Sequence, residues 1–177
     1  MMEKVVLADQ RPRRTAEEII AQDGDWALTG KTADRKEHVI TSLELDPYAQ
    51  ERFNEKLIAK YAKIRENEVR YEEFMTEDAD YIIVAFGSAA RICRMTVEMA
   101  REAGYKVGLV RPITLYPFPS KVLHDLAARG VKGFLSAELN HGQMVEDVRL
   151  AVNGQAPVEH YGRSGGAVFS PDQVYEA

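Results

Sequence analysis

The run YIIVAFG at residues 81–87 holds almost no polar position. A strand with one wetted face alternates, so an unbroken apolar run of this length predicts a strand buried on both faces. Such strands need helices above and below them, and the chain that follows supplies them. Gly87 and Ser88 lead into AARICRMTVEMAREAG, an amphipathic segment ending at Gly104, a common residue just past a helix end. YKVGLVRP is the next strand, stopped by Pro112, and ITLYPFP is an extended loop because its prolines forbid a helix. Ser120 is the expected cap of KVLHDLAARG. VKGFLSAEL, GQMVEDVRLAVNG and PVEHYGR continue the alternation as strand, helix and strand; SGGAVF is a loop and PDQVYEA opens a terminal helix. Strands alternating with helices predict an α/β fold: three layers, α/β/α, around a mostly parallel sheet.

The first part of the chain is different. Residues 1–80 carry 13 Lys/Arg against 19 Asp/Glu, a net of −6, whereas residues 81–177 carry 10 against 9, a net of +1. Residues 1–45 have little regular pattern and read as an irregular arm or linker. Within them MMEKVVLADQ suits a short strand, and Thr15 with Glu18 has the spacing of a capping box. Asp46-Pro47 is a strong helix start. Phe53, Leu57, Tyr61, Ile64, Tyr71 and Met75 then keep a spacing of three, four or seven, broken only at Glu68, and predict one long connecting helix over 46–79. At about 1.5 Å per residue it would be about 43 Å long. Its apolar stripe then packs on another chain or domain, or lies across its own domain. The α/β domain itself is expected over 80–177.

Several functions are excluded by what is missing. A formal charge of −5 argues against nucleic acid as the main partner. The longest apolar run is far too short to span a bilayer, and no basic-then-apolar leader opens the chain, so neither membrane insertion nor secretion is expected. One cysteine, Cys93, cannot supply the four thiolates of an iron–sulfur cluster, and its apolar neighbours at helical spacing favour a buried structural thiol over a reactive one. The turn after residue 86 offers GSAARI, with one glycine, where a dinucleotide fingerprint needs three. The P-loop and nucleophile-elbow patterns are absent, and no two histidines stand four apart as on a zinc helix.

Ligands and partners of a parallel sheet meet the carboxyl ends of its strands. Those ends are Gly87-Ser88, Arg111-Pro112, Glu138 to Gln143 and Arg163 to Gly166. Ser88 precedes a helix whose free N–H groups favour an anion, with plain capping as the simpler role. Asn140, His141 and Gly142 suit a tight turn. His141 fits turn formation and hydrogen bonding, with proton transfer as the sharper alternative; His124 is expected at the surface of a helix. Gln143 and the amides after it are placed to donate to a carboxylate or carbonyl of a neighbouring chain. One carboxylate, two amides and the guanidiniums of Arg111 and Arg163 read as a docking surface.

These residues also carry a family resemblance. IIVAFGSAARICRMTVEMAREAGYKVGLVRPITLYPFP, SAELNHGQMVEDVRLAVNG and YGRSGG resemble the transketolase carboxyl-terminal-like domain in the alpha subunits of 2-oxoacid:ferredoxin oxidoreductases. The branched-chain type, acting on 2-oxoisovalerate (3-methyl-2-oxobutanoate), is the nearest in kind. HVITSLELDPYAQERFNEKLIAKYAKIRENEVRYEEF is similar to the connecting region of those subunits. The resemblance implies an enzyme that oxidatively decarboxylates a 2-oxoacid to an acyl-CoA and passes electrons to ferredoxin, using thiamine diphosphate, magnesium, iron–sulfur clusters and CoA. None of these is expected on this chain. The pyrimidine-binding thiamine domain would precede it, and the G-D-G diphosphate motif of the other thiamine domain is absent. The expected role is therefore structural, in assembly with other subunits of a cytoplasmic oligomer, and inactive alone. Ser88, Arg111, Glu138, Asn140, Gly142, Gln143, Gly165 and Gly166 match the family's strand-end motifs and are assigned as interface or structural positions, with no catalytic residue. The same features leave open the carboxyl-terminal domain of another thiamine-dependent enzyme, of transketolase or 2-oxoacid dehydrogenase class, or a small-anion-binding module near Ser88.

Overall fold

The computed structural model describes residues 14–24, 39 and 41–177, which fall into two compact units, Met1–Gln50 and Glu51–Ala177. In the first unit Thr15 caps helix α1 (Ala16–Asp23). Its hydroxyl accepts from the Glu18 amide at 3.2 Å, and the Glu18 carboxylate accepts from the Thr15 amide at 2.7 Å, as the spacing predicts. The strand expected in MMEKVVLADQ lies outside the described residues.

Helix α2 (Pro47–Asn67) starts where Asp46-Pro47 predicts, with the Asp46 carboxylate accepting from the Tyr48 amide at 3.0 Å. It does not run to residue 79. It stops at Asn67, and Tyr71–Phe74 form strand β1 instead. The helical stripe had already failed at Glu68, and the edge of strand β3 (Val107–Pro112) offers backbone partners that a longer helix would leave unused. Arg70 begins the switch, its carbonyl accepting from the amides of Ile113 and Thr114 at 3.0 and 3.1 Å. Phe74 then turns inward beneath Arg94, whose guanidinium lies 4.2 Å from the ring centre.

Among the described residues the sheet has five strands in the order β1-β3-β2-β4-β5, where β2 is Tyr81–Val84, β4 is Gly133–Glu138 and β5 is Val158–Gly162. All neighbours are parallel except β1, which runs antiparallel along β3. From β2 the chain crosses one way to β3 through α3 (Gly87–Glu102). It then returns past β2 to β4 through α4 (Ser120–Ala128) and on to β5 through α5 (Met144–Val152). A reversed direction with the same handedness moves the helix to the other face. Accordingly α3 packs one face with α6 (Pro171–Glu176), around Cys93, Val97, Phe169 and Val174, and α4 and α5 pack the other, around Leu123, Leu126 and Val148. Ile82, Val84, Val97, Val110 and Leu123 are fully buried, each contributing about 1.5–3 kcal/mol of transfer free energy. The helix starts are less conventional than expected. Pro119, not Ser120, is the capping position of α4, and Phe86 holds that position in α3.

A candidate functional site at the carboxyl edge

Because α3 leaves β2 toward one side and α5 leaves β4 toward the other, the connections reverse direction between β2 and β4. Glu138, the last residue of β4, points to the start of α5. Strand alternation puts Ser136 and Glu138 on one face, and parallel pairing sets His160 opposite Ser136 and Gly162 opposite Glu138. Glu138 is fully buried and its carboxylate is saturated. It accepts from the amides of Gln143, Met144 and Val145 at 3.2, 2.7 and 2.9 Å, and from the Ser136 hydroxyl at 3.0 Å. These amides are the free N–H groups at the start of α5, where a negative charge is also favoured by the helix dipole. Burial alone would raise its pKa. The Met144 amide, the hydroxyl of Ser136, the side chain of Asn140 and the Val145 amide outweigh it and hold the carboxyl below its ordinary value.

The residues after Glu138 shape the turn. The Asn140 side-chain oxygen accepts from the Gly142 amide at 2.7 Å. Gly142 has φ +100, and a Cβ there would sit 3.2 Å from Val145 and 3.5 Å from the His160 ring. Gln143 is exposed at the start of α5, and its side chain does not cap the helix. The amides expected to reach a carboxylate of a neighbouring chain are thus taken by a carboxylate of this one. The β5 loop closes over the turn: the Arg163 amide donates to the Glu138 carbonyl at 3.2 Å, and the His141 ring meets the Ser164 hydroxyl at 2.7 Å. Gly165 and Gly166, at φ +68 and +85, turn the chain out of β5 with open space around them.

Two expected members stand apart. Arg111 lies on β3, with β2 between it and β4, and its guanidinium pairs with Glu72 of β1 at 2.8 Å. It braces the antiparallel edge and does not flank the turn. Ser88 is exposed in the first turn of α3, which follows β2. Arg163 reaches Gln173 of α6 at 3.3 Å. His124 lies at the surface of α4 against Gln155 at 3.0 Å.

Sequence reasoning overlooked Gly162 and His160. A Cβ on Gly162 would fall 2.3 Å from the Asn140 carbonyl oxygen, so only glycine lets the two loops meet. His160 places a buried, unpartnered Nε2 3.8 Å from a Glu138 oxygen. The one usable signal was the i, i+2 pairing of S-A-E on β4 with H-Y-G on β5. A cleft of about 550 Å³, mostly apolar, opens at the opposite edge beside Tyr81, Val107, Gly133 and Pro157. Cys93 is fully buried, its thiol pushed up to about 12 by burial. Among the described residues no three His, Cys, Asp or Glu side chains converge on a point, and no helix is long and apolar enough to cross a membrane.

The family model described as pyruvate:ferredoxin oxidoreductase core domain II matches residues 79–174. Over 167 residues the chain is 44% identical to the ketoisovalerate oxidoreductase subunit VorB of Methanothermobacter thermautotrophicus, covering 93% of this chain and 47% of that one. It thus spans about half the length of that relative. Among solved structures, a 2-oxoglutarate:ferredoxin oxidoreductase from Magnetococcus marinus, with 2-oxoglutarate, coenzyme A and succinyl-CoA bound, superposes with a TM-score of 0.68. That match covers 81% of this chain and 26% of that one, at 22% identity, and speaks to the fold alone. A split-gene transketolase, an inactive beta4 tetramer, is similar in fold with a TM-score of 0.51 at 20% identity, over 60% of this chain and 39% of that one.

Proposed function

Given that this chain belongs to the pyruvate:ferredoxin oxidoreductase core domain II family, we propose that it is the scaffolding portion of the alpha subunit of a 2-oxoacid:ferredoxin oxidoreductase. The observation that carries this reading is the state of the start of α5 at the carboxyl edge of the sheet. There the chain seats its own carboxylate against the helix-start amides that an anionic ligand would use. A carboxylate with about four lone-pair sites, all engaged, has no capacity left for proton transfer or substrate. The similarity to VorB supports a branched-chain 2-oxoacid as the substrate of the whole enzyme, which would oxidise it to an acyl-CoA and pass the electrons to ferredoxin.

Thiamine diphosphate, magnesium and iron–sulfur clusters would supply that chemistry from other domains and subunits. This chain's residues do not fit a cluster: its one cysteine is enclosed in the core between α3 and the sheet, with its thiol held protonated. Residues 1–45 would join the sheet to a preceding thiamine-pyrimidine domain. Ser88, Arg111, Glu138, Asn140, Gly142, Gln143, Gly165 and Gly166 act as structural or interface positions, Glu138 and Gly142 inward and Ser88 and Gln143 outward.

The test is reconstitution. The purified 177-residue chain should show no 2-oxoisovalerate-dependent dye reduction. Joined to the rest of its subunit and the other subunits, it should support CoA-dependent turnover that is faster with 2-oxoisovalerate than with pyruvate or 2-oxoglutarate. Turnover by the chain alone, or an assembled complex with no 2-oxoacid oxidation, would refute the reading.

A further inference from the structure

Helix α2 has no buried residue along its 21 positions. Yet it carries an apolar stripe: Phe53, Ile58 and Tyr61 are 52%, 67% and 42% exposed, and Leu57 lies between them. The stripe continues onto the loop after β3, where Tyr116, 57% exposed, meets Tyr61 edge to face with ring centres 6.2 Å apart. Lys56, Lys60 and Lys63 follow one flank of the stripe at helical spacing, and among the described residues none of the three pairs with a carboxylate.

This charge pattern decides what can cover the stripe. An antiparallel pair of α2 helices would set the lysine flank against itself. A parallel pair would set Lys60 against Arg65 of the other copy, five positions on. Both arrangements oppose like charges, so a second copy is disfavoured. A lipid surface asks for a continuous apolar face and bulky side chains. Here the apolar band is interrupted by Asn54 and is completed by two tyrosines from separate elements, the composition of a protein contact centre.

We propose that the face formed by α2 and Tyr116 is the docking surface for another subunit of the oxidoreductase, one that presents an apolar groove bordered by Asp and Glu. This rests on the reading that the chain works inside a multisubunit enzyme. The groove takes Phe53, Ile58 and Tyr61, and its carboxylates meet the lysine flank.

Hydrogen–deuterium exchange of the chain, alone and co-purified with the other subunits of its oxidoreductase, tests the assignment. Residues 53–67 should exchange at least about tenfold more slowly in the complex. Ile58→Ala with Tyr61→Ala, and separately Lys56→Glu/Lys60→Glu/Lys63→Glu, should each weaken association about tenfold or more while the helical circular dichroism of the chain is kept. The charge reversal should also invert the salt dependence of association, so that added salt strengthens the variant's binding where it weakens that of the wild type. Assembly with α2 exchanging as in the free chain would overturn the docking face and leave the proposed function standing. Failure of the unaltered chain to join those subunits would sink both. A dimer of the chain alone that Ile58→Ala dissolves, or sedimentation with phosphatidylglycerol vesicles that the charge reversal abolishes, would overturn it in favour of a second copy or a membrane.

Discussion

The carboxylate of Glu138 lies 2.7 Å from the amide of Met144, six residues further along the chain, and so one side chain fastens the end of β4 to the first turn of α5. Replacing Glu138 with Ala would strand the buried amides of Met144 and Val145, the part-buried amide of Gln143 and the Ser136 hydroxyl. Each unsatisfied buried group costs about 1–3 kcal/mol, with some relaxation. Glu138→Ala is expected to destabilise the chain by about 3–5 kcal/mol in urea denaturation, and Glu138→Gln by about 1–3, because the amide keeps one acceptor. Equal midpoints for the wild type and Glu138→Ala would contradict the buried-cap reading.

The same carboxylate makes stability depend on pH. Its folded pKa lies below the ordinary 4.5, so it stabilises the fold fully above that value and loses this contribution as the pH falls through the folded pKa. Asp147 acts in the opposite sense: burial, then Glu146 and Glu138, raise its carboxyl and favour the fold on acidification. The difference between wild type and Glu138→Gln isolates the first effect. That difference should be constant from pH 7 to about 5 and shrink below about 4.5. A gap that widens on acidification would exclude an ionised Glu138 in the native state.

Gly162 and Gly165 separate close approach from backbone conformation. At Gly165 φ is +68 with open space around it, so alanine costs only the left-handed backbone, about 1 kcal/mol. At Gly162 a Cβ would strike the Asn140 carbonyl oxygen and the His160 ring, at 2.3 and 2.7 Å. Gly162→Ala should therefore lower stability by about 2–4 kcal/mol, more than Gly165→Ala. Thermal midpoints of the two variants decide it, and a smaller loss at Gly162 would mean that the loops do not meet.

These contrasts also mark how far the sequence could be read. The strands 81–84, 107–112, 133–138 and 158–162 were legible because apolar runs bounded by Gly and Pro have few other uses. Tyr71 and Phe74 were not, because their spacing fits a helix as well as a strand; only the free edge of β3 settles the choice. At the carboxyl edge the residue types were visible and their partners were not. Glu138 satisfies amides five to seven residues away, and Arg111 finds Glu72 across 39 positions. Whether a carboxylate points inward or toward another chain depends on register, and a one-residue slip reverses it.

Cys93 offers the simplest check on the core between α3 and the sheet. It has no exposed surface, and burial pushes its thiol up to about 12, so the folded chain holds almost no thiolate at neutral pH. A thiol reagent such as 5,5′-dithiobis(2-nitrobenzoate) should react with it only through unfolding, at a rate independent of reagent concentration once closing is slow relative to modification. In about 6 M guanidinium chloride it should react within the mixing time. Cys93→Ala should cost about 1–2 kcal/mol for the lost sulfur contacts, and Cys93→Ser more, since a hydroxyl would be buried in the apolar cluster that holds Val97, Ala89 and Ile83. Rapid labelling of the native chain would show that α3 does not pack as described.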